Sequence, residues 1–349
     1  MRICVVGAGA IGGLLAARLA HAGHTLTVIA RGAHLAAIRD LGLRIIDDSG
    51  DLVVRCAATE SLADAGVQDL VILAVKAHQV AAIAPQLAAT YHDTTMVLTA
   101  QNGIPWWYFM KQPGRYQGMR LESVDPGGIV ADHIDVDRVI GSVVYPAADV
   151  VSPGVIHHLE GNRFSIGEID NSDSERIRGV SSVLREAGFK APVLSDIRSE
   201  IWTKLWGNLS LNPISALSHA TLVDICQFPA SRQLLVNMMS EAQQVAEALG
   251  IQFKVSLDKR IAGAEAVGKH KTSMLQDLEA GRPMEIDALV GSIVELGRVT
   301  QVATPHIDAI FATISLLAKT VGEQHGRMRI DTQTSQPAAI SAPVTAPAM

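Results

Sequence analysis

The chain has 349 residues, 48% hydrophobic and 18% charged, with 29 basic and 35 acidic side chains for a formal net charge of −6. That length suggests about two domains of roughly 100–200 residues each, and the composition is that of a globular protein with enough apolar material for a core. A sequence-independent nucleic-acid binder would need a basic surplus, so that class loses ground.

The three cysteines, Cys4, Cys56 and Cys226, are scattered and show no C-x-x-C spacing. They argue against a disulfide framework or a structural zinc site and fit a reducing compartment, so the expected location is cytoplasmic and no metal is expected. No uncharged apolar run reaches about 18 residues, so no membrane span is expected. The N-terminal Met-Arg plus apolar run mimics a signal peptide, but its glycines and the lack of a cleavage site read better as a buried strand entering a helix.

Residues 2–6, Arg-Ile-Cys-Val-Val, suit a strand covered on both faces. A glycine-rich turn follows, then a helix over 14–20 that Gly23 stops, then a strand over 25–30. A helix over 34–41, a strand pair at 43–46 and 52–56, and a strand at 69–75 come next. A helix over 80–89 bent by Pro85 and a strand at 94–99 complete an alternation that favours a mainly parallel sheet with helices on both faces. Short strands at 139–145, 155–158 and 163–166, separated by Pro153-Gly154 and Gly161-Asn162, read as an antiparallel extension of that sheet. A helix over 175–187 follows, and Pro192 marks a boundary. Beyond Asp196 the chain reads as helix at 197–211, 213–218, 230–249, 255–263, 287–300 and 305–324. The reading is an α/β domain at 1–193, an all-helical domain at 194–325, and a tail at 326–349 whose Thr/Ser/Gln/Pro/Ala-rich end at 331–349 is expected to be disordered.

Gly7-Ala8-Gly9-Ala10-Ile11-Gly12 fits G-x-G-x-x-G. It follows a predicted strand and opens a predicted helix, the context in which the motif binds the pyrophosphate of a dinucleotide at a helix N-terminus. At the end of the second strand, where an NAD site usually carries an acid for the ribose hydroxyl, stands Arg31. A guanidinium there suits a 2′-phosphate and points to NADP(H); the alternative is a solvated surface arginine.

Lys76 ends the strand at 69–75 and Gln101-Asn102-Gly103 follows the strand at 94–99. Both therefore fall on the carboxyl rim, where ligands bind. The plainer readings are a solvated strand end and an ordinary Asn-Gly turn. Lys204, Asn208 and Asn212 are spaced i, i+4, i+8 within an otherwise apolar helix, which places them on one face. An aligned lysine and two amides suit a buried polar pocket, since such groups are costly without partners; the competing reading puts the lysine at a wet edge and the asparagines as caps before Pro213. A lysine so placed could act on a ketone, stabilising and protonating the oxygen on which hydride attack builds charge. Further on, Ser273-Met274-Leu275-Gln276-Asp277 precedes Glu285-Ile286-Asp287, where Glu285 could pair with a lysine or bind a hydroxyl and Asp287 could cap a helix.

In this order, these elements resemble the ketopantoate reductase (2-dehydropantoate 2-reductase) family over roughly residues 1–325. The segment Trp202-Thr203-Lys204-Leu205 and the pair Val75-Lys76 belong to the same set. The resemblance implies a Rossmann-type dinucleotide-binding domain followed by an all-helical C-terminal domain, with catalysis in the cleft between them. It implies NADPH as cofactor, bound by the Gly7, Ala8, Gly9, Ala10, Ile11, Gly12 loop with Arg31 and Lys76, and Asn102 within reach of cofactor and substrate. It implies Lys204 as general acid on a small 2-oxo acid, Glu285 on the substrate hydroxyl and orienting the lysine, and Asn102, Asn208, Asn212 and Ser273 as substrate hydrogen-bonders. The implied product is (R)-pantoate, on the way to pantothenate and coenzyme A. The chain departs from the family at Ile104-Pro105-Trp106-Trp107-Tyr108-Phe109 and the stretch to about Gly128, where a shorter, less aromatic connection is expected. That loop reads either as a lid or reshaped pocket for another 2-oxo acid, or as aromatics packing a loop onto the domain surface. A nonenzymatic NADPH sensor is the reading from another class. Symmetric homodimers are the common default, and nothing in the sequence demands one.

Overall fold

The computed structural model describes residues 1–48 and 50–324. Its centre is β1 (Arg2–Val6), whose residues alternate between two cores: Ile3 and Val5 face one, Cys4 and Val6 the other. A strand buried on both faces has no polar side, which is why this run is apolar without alternation. The chain continues through α1 (Ala10–His21), β2 (Thr25–Ile29), α2 (Gly32–Leu41), β3 (Leu43–Asp47), β4 (Gly50–Val54), β5 (Ala57–Thr59), α3 (Leu62–Ala65), β6 (Leu70–Leu73), α4 (Val80–Ile83) and β7 (Met96–Thr99). It then runs through α5 (Ile129–His133), β8 (Val139–Val144), β9 (Ala147–Ser152), β10 (Val155–Glu160), β11 (Phe164–Glu168) and α6 (Glu175–Glu186). Seven strands form one sheet in the order β11-β8-β7-β6-β1-β2-β5, parallel throughout except for the β8–β11 pair. Strand order reverses beside β1, between β2 and β6, so the crevice at their carboxyl ends is the expected ligand position.

A second sheet, β4-β3-β10-β9, packs over α1. This corrects the expectation that 155–158 extends the main sheet. The Pro153-Gly154 turn closes a β9–β10 hairpin, the Gly154 carbonyl accepts from the Arg44 amide at 2.9 Å, and β10 pairs parallel with β3. Strand β9 escaped the sequence reading because its Ala-Ala-Asp-Val-Val-Ser run is mostly exposed at an edge, and β5 because it is three residues long. The predicted helix over 80–89 is one α-turn, α4, followed by a 3₁₀ stretch over Ala84–Thr90 with Pro85 in its first turn, where a missing amide is tolerated.

Helices dominate the rest: α7 (Ile197–Ser218), α8 (Leu222–Gln227), α9 (Pro229–Ala248), α10 (Leu257–Ala266), α11 (Ser273–Glu279), a π-helical turn at Asp287–Gly291, α12 (Ser292–Thr300) and α13 (Pro305–Glu323). The short helices α8 and α11 carry no long periodic pattern and were not predicted. The break expected at Pro213 does not occur, and α7 runs through it. A helix-interior proline costs about 3 kcal/mol, but Leu209, Leu211, Ile214 and Ala216 on either side are all buried, and burial of a few such side chains at about 1.5–3 kcal/mol each outweighs that cost. The predicted disordered tail lies outside the described residues. Among the described residues no helix is long and apolar enough to cross a membrane.

The aromatic loop is neither a lid nor a surface coat. Trp106, Trp107, Tyr108 and Phe109 are all buried in the core that joins one face of the large sheet to the helical domain. Arg198, at the start of α7, pins the loop from below by donating to the carbonyls of Tyr108 (2.7 Å), Met110 (2.8 Å) and Ile169 (2.6 Å). The Trp202 indole donates to the Tyr108 hydroxyl at 2.7 Å. Trp107 fits because residue 141 is glycine: a side chain there would meet the indole at 2.8 Å.

Candidate active site

The glycine loop has the geometry the motif requires. Gly7 has φ +101°, a conformation L side chains rarely adopt, and a β-carbon there would sit 2.7 Å from Val75 Cγ1. A β-carbon on Gly12 would lie 1.8 Å from the Gly7 carbonyl oxygen, whereas one on Gly9 meets nothing within 4 Å. The loop is thus closed on its protein side and open on its ligand side. No side chain caps the N-terminus of α1, which leaves its amides for an anion. Ala8 is buried, while Ala10 and Ile11 open the helix. Arg31 stands exposed at the end of β2, as N-cap of α2. These residues fit a dinucleotide carrying an extra phosphate.

The other predicted residues converge on the crevice between the sheet rim and the helical domain. Lys204 projects from α7, and its Nζ donates to Asn102 Oδ1 at 2.6 Å and to the Val144 carbonyl at the end of β8. It also lies 5.8 Å from the centroid of the Tyr145 ring. Burial pushes its pKa down to about 8, with attraction to Glu285 holding it from falling further. Asn102 donates in turn to Glu285 Oε2 at 3.4 Å, and Glu285 Oε1 accepts from the Ala77 amide at 3.2 Å. Lysine, amide and carboxylate, from three distant stretches of chain, form one hydrogen-bonded row across the crevice.

The rim loop is held by its own side of the cleft. Gln101 Nε2 donates to the Leu73 and Val75 carbonyls at 2.6 and 3.2 Å. Gly103, at φ +89°, presses against Ala288, where a β-carbon would come within 2.2 Å of the Ala288 oxygen, and the Ile104 amide donates to that oxygen at 3.0 Å. Asn102-Gly103 is therefore a turn, and its amide side chain also meets Lys204 and Glu285.

Asn208 lines the same crevice as Lys204, one helical turn on, and makes no hydrogen bond to another described residue. Asn212, another turn along and only 5% exposed, donates to Ser273 Oγ at 3.4 Å at the first turn of α11. Lys204 and Asn208 thus line the crevice, Asn212 is buried against α11, and α7 continues through Pro213, so the wet-edge and capping reading fails. Lys76 reaches from the sheet rim to the helical domain, where its ammonium is engaged by Asp277 Oδ2 (2.5 Å) and the Pro283 carbonyl (2.6 Å). Asp287 opens the π-helical turn without making a side-chain cap.

Trp107, from the aromatic loop flagged as a possible pocket reshaper, lines the crevice, and so does Ser142, which the sequence reading missed. The Ser142 hydroxyl is buried without a partner. Nothing local marks it, since it sits mid-strand in an apolar run and only the parallel β7–β8 pairing brings it to the rim. Asp277 lay within the quoted motif, but its role as partner to Lys76 spans 201 residues and left no local signal.

A switch-point glycine loop joined through a cleft to a partly buried lysine on a helical domain defines a dinucleotide-dependent oxidoreductase. The family model described as ketopantoate reductase PanE/ApbA matches residues 3–171, and its C-terminal counterpart matches residues 196–318. The chain belongs to the ketopantoate reductase family, whose cofactor is NADPH, and it is an enzyme, which sets aside the nonenzymatic sensor. It is 53% identical to the 2-dehydropantoate 2-reductase of Mesorhizobium japonicum over 319 residues, covering 91% of this chain and 98% of that one. Among solved structures, a Ralstonia solanacearum protein provisionally described as a ketopantoate reductase superposes with TM-score 0.88 at 41% identity, covering 92% and 98% of the two chains. A D-mandelate dehydrogenase solved with NADH and anilino(oxo)acetate shares the fold, with TM-score 0.79 at 20% identity over 92% and 99% of the chains.

Proposed function

We propose that the enzyme uses NADPH to reduce 2-dehydropantoate to (R)-pantoate, in the cytoplasm and on the route to pantothenate. The observation that carries this reading is the Lys204 ammonium, held between Asn102 and Val144 in the crevice with its pKa pushed down to about 8. The glycine loop and the N-terminus of α1 would hold the pyrophosphate of NADPH, which would supply hydride to the carbonyl carbon. Lys204 donates its proton to the carbonyl oxygen, and a pKa near the operating pH suits a group that must give up a proton and regain it. Asn102 fixes the direction of the ammonium through its Oδ1 and offers Nδ2 to Glu285. Glu285 supports the charged lysine and receives the substrate hydroxyl. Asn208, Asn212 and Ser273 bind the rest of the substrate along α7 and α11. The cofactor side falls within 1–193 and the catalytic lysine within 194–325.

Arg31 reads the 2′-phosphate. Arg31→Asp replaces a bidentate donor by a like charge, so NADPH should bind about 10²-fold more weakly or worse while NADH changes little. Fluorescence titration of the two cofactors measures both, and an equal change in the two would remove Arg31 from this role. Lys76 contacts NADPH after leaving Asp277.

A second reading keeps the chemistry but changes the acid. Trp107 lines the crevice and is absent from the pattern that the family resemblance implies at this loop, which favours a reshaped pocket. NADPH oxidation measured across a panel of 2-oxo acids separates the two. The first reading predicts the highest kcat/KM for 2-dehydropantoate, and turnover no better than with simple 2-oxo acids would sink it. The assembly expected for this enzyme is a homodimer, checked by light scattering.

A further inference from the structure

We infer that Arg260 is a substrate-binding residue that anchors the carboxylate of the 2-oxo acid beside Lys204. The inference rests on the functional reading above and adds to it the group that holds the substrate's acid end.

Arg260 lies on α10 and leans onto α7 at Gly207, where a β-carbon would come within 2.6 Å of its Nη2 and within 3.4 Å of its Nε. Gly207 follows Lys204 by three residues and precedes Asn208 by one, so the guanidinium lies against the flank of the very helix turn that carries the proposed acid. A side chain at 207 would push the guanidinium off this position. Tyr145 fixes the position from the other side: its ring lies 5.8 Å from Lys204 Nζ, and its phenol is close enough to Arg260 for each to perturb the other's ionisation. Tyr145 thus lies near both Lys204 and Arg260, which brings the guanidinium into the neighbourhood of the proposed acid.

Arg260 also lacks what a structural arginine has. Its Nε is buried with no partner, and among the described residues the guanidinium forms no hydrogen bond and no ion pair. Arg198, which is fully buried, shows the contrast, with three carbonyls bound, whereas Arg260 is only partly buried. A guanidinium drawn out of water without an anion is costly, and burial here already weakens its hold on the proton. A carboxylate bound bidentately satisfies this donor set, as planar carboxylate geometry matches the guanidinium fork. A 2-oxo acid places its carboxylate on the carbon next to the ketone, so adjacent cations for acid and ketone are what that substrate requires. Sequence reasoning could not find Arg260, since α10 is a polar surface helix and the relevant contact is with a glycine 53 positions earlier.

The test uses the full-length enzyme with 2-dehydropantoate and with its neutral lactone, which keeps the ketone but has no free carboxylate. Arg260→Ala is expected to raise KM for 2-dehydropantoate about 10- to 100-fold while leaving the dissociation constant for NADPH, the KM for the lactone and the melting temperature unchanged. Arg260→Lys should recover part of the loss, and added guanidinium ion should rescue the alanine variant, a response that a packing role would not give. An unchanged KM for the acid in a variant whose wild type reduces it overturns the assignment of Arg260 alone. So does a rise that is equal for acid and lactone. If the wild-type enzyme reduces no 2-oxo acid, the functional reading falls first and the carboxylate with it.

Discussion

Replacing Lys204 with alanine is expected to lower kcat for 2-oxo acid reduction by about 10²–10⁴-fold, the usual contribution of a positioned proton donor, while NADPH binds nearly as before. The lysine touches Asn102 and the Val144 carbonyl, and none of its contacts involves the glycine loop. Stopped-flow measurement of kcat and fluorescence titration of NADPH check the two halves separately, and an equal loss of cofactor affinity would count against its role. The pH profile gives an independent signature. With a pKa pushed down to about 8, the ammonium is present below that value, and kcat/KM for reduction should fall as pH rises through it. Attraction to Glu285 holds the proton on, so Glu285→Gln should move this limb to lower pH. The stability consequence has its own sign. Because the folded pKa lies below the roughly 10.4 of a free lysine, the fold carries a penalty at neutral pH that is relieved as pH rises from about 8 toward 10.

Arg198→Met is expected to be the most destabilising single change discussed here, with the cleft chemistry affected only secondarily. Arg198 is 1% exposed and donates to three carbonyls, two of them in the aromatic loop. Charge-assisted hydrogen bonds contribute about 1.5–3 kcal/mol each, and losing three leaves buried acceptors unpaired. Relief from burying a charge offsets part of this, so a net loss of about 2–4 kcal/mol is expected. At about 2–4 °C per kcal/mol for larger domains, the melting temperature should fall by roughly 5–15 °C. Scanning calorimetry reads it directly. A change of only a degree or two would mean that the loop is held by its aromatics alone, which remain buried against Thr99 and Trp202.

The α/β half was legible because its signals are local. A glycine triplet between strand and helix, an apolar strand with no polar face and a lysine at a strand end each speak for themselves within a dozen residues. The row Lys204, Asn208 and Asn212 was legible for the same reason, since helical spacing alone aligns it. What stayed hidden depends on long-range pairing. Strand β10 could join either sheet until its parallel register with β3 was known. The aromatic run at 106–109 reads as surface or lid until Arg198, about 90 positions away, is seen to bind its backbone. Lys76 reads as a cofactor contact from the rim, and only the fold reveals Asp277 as its partner in this state. That residues 102, 204 and 285 share one site came only from resemblance to a family, because they have no sequence-local reason to meet, and that Asn102 stands between Lys204 and Glu285 is seen only in the fold.

The unbroken course of α7 through Pro213 turns that helix into a measuring stick. At 1.5 Å per residue, Asn208 stands about 6 Å beyond Lys204 along the axis and Asn212 about 12 Å. Under the proposed function, a two-carbon oxo acid gripped at the lysine end falls short of Asn208, whereas a longer branched acid reaches it, and Asn212 lies beyond either. Length selection would then operate by forfeited grip at Asn208, with no wall needed to turn shorter molecules away.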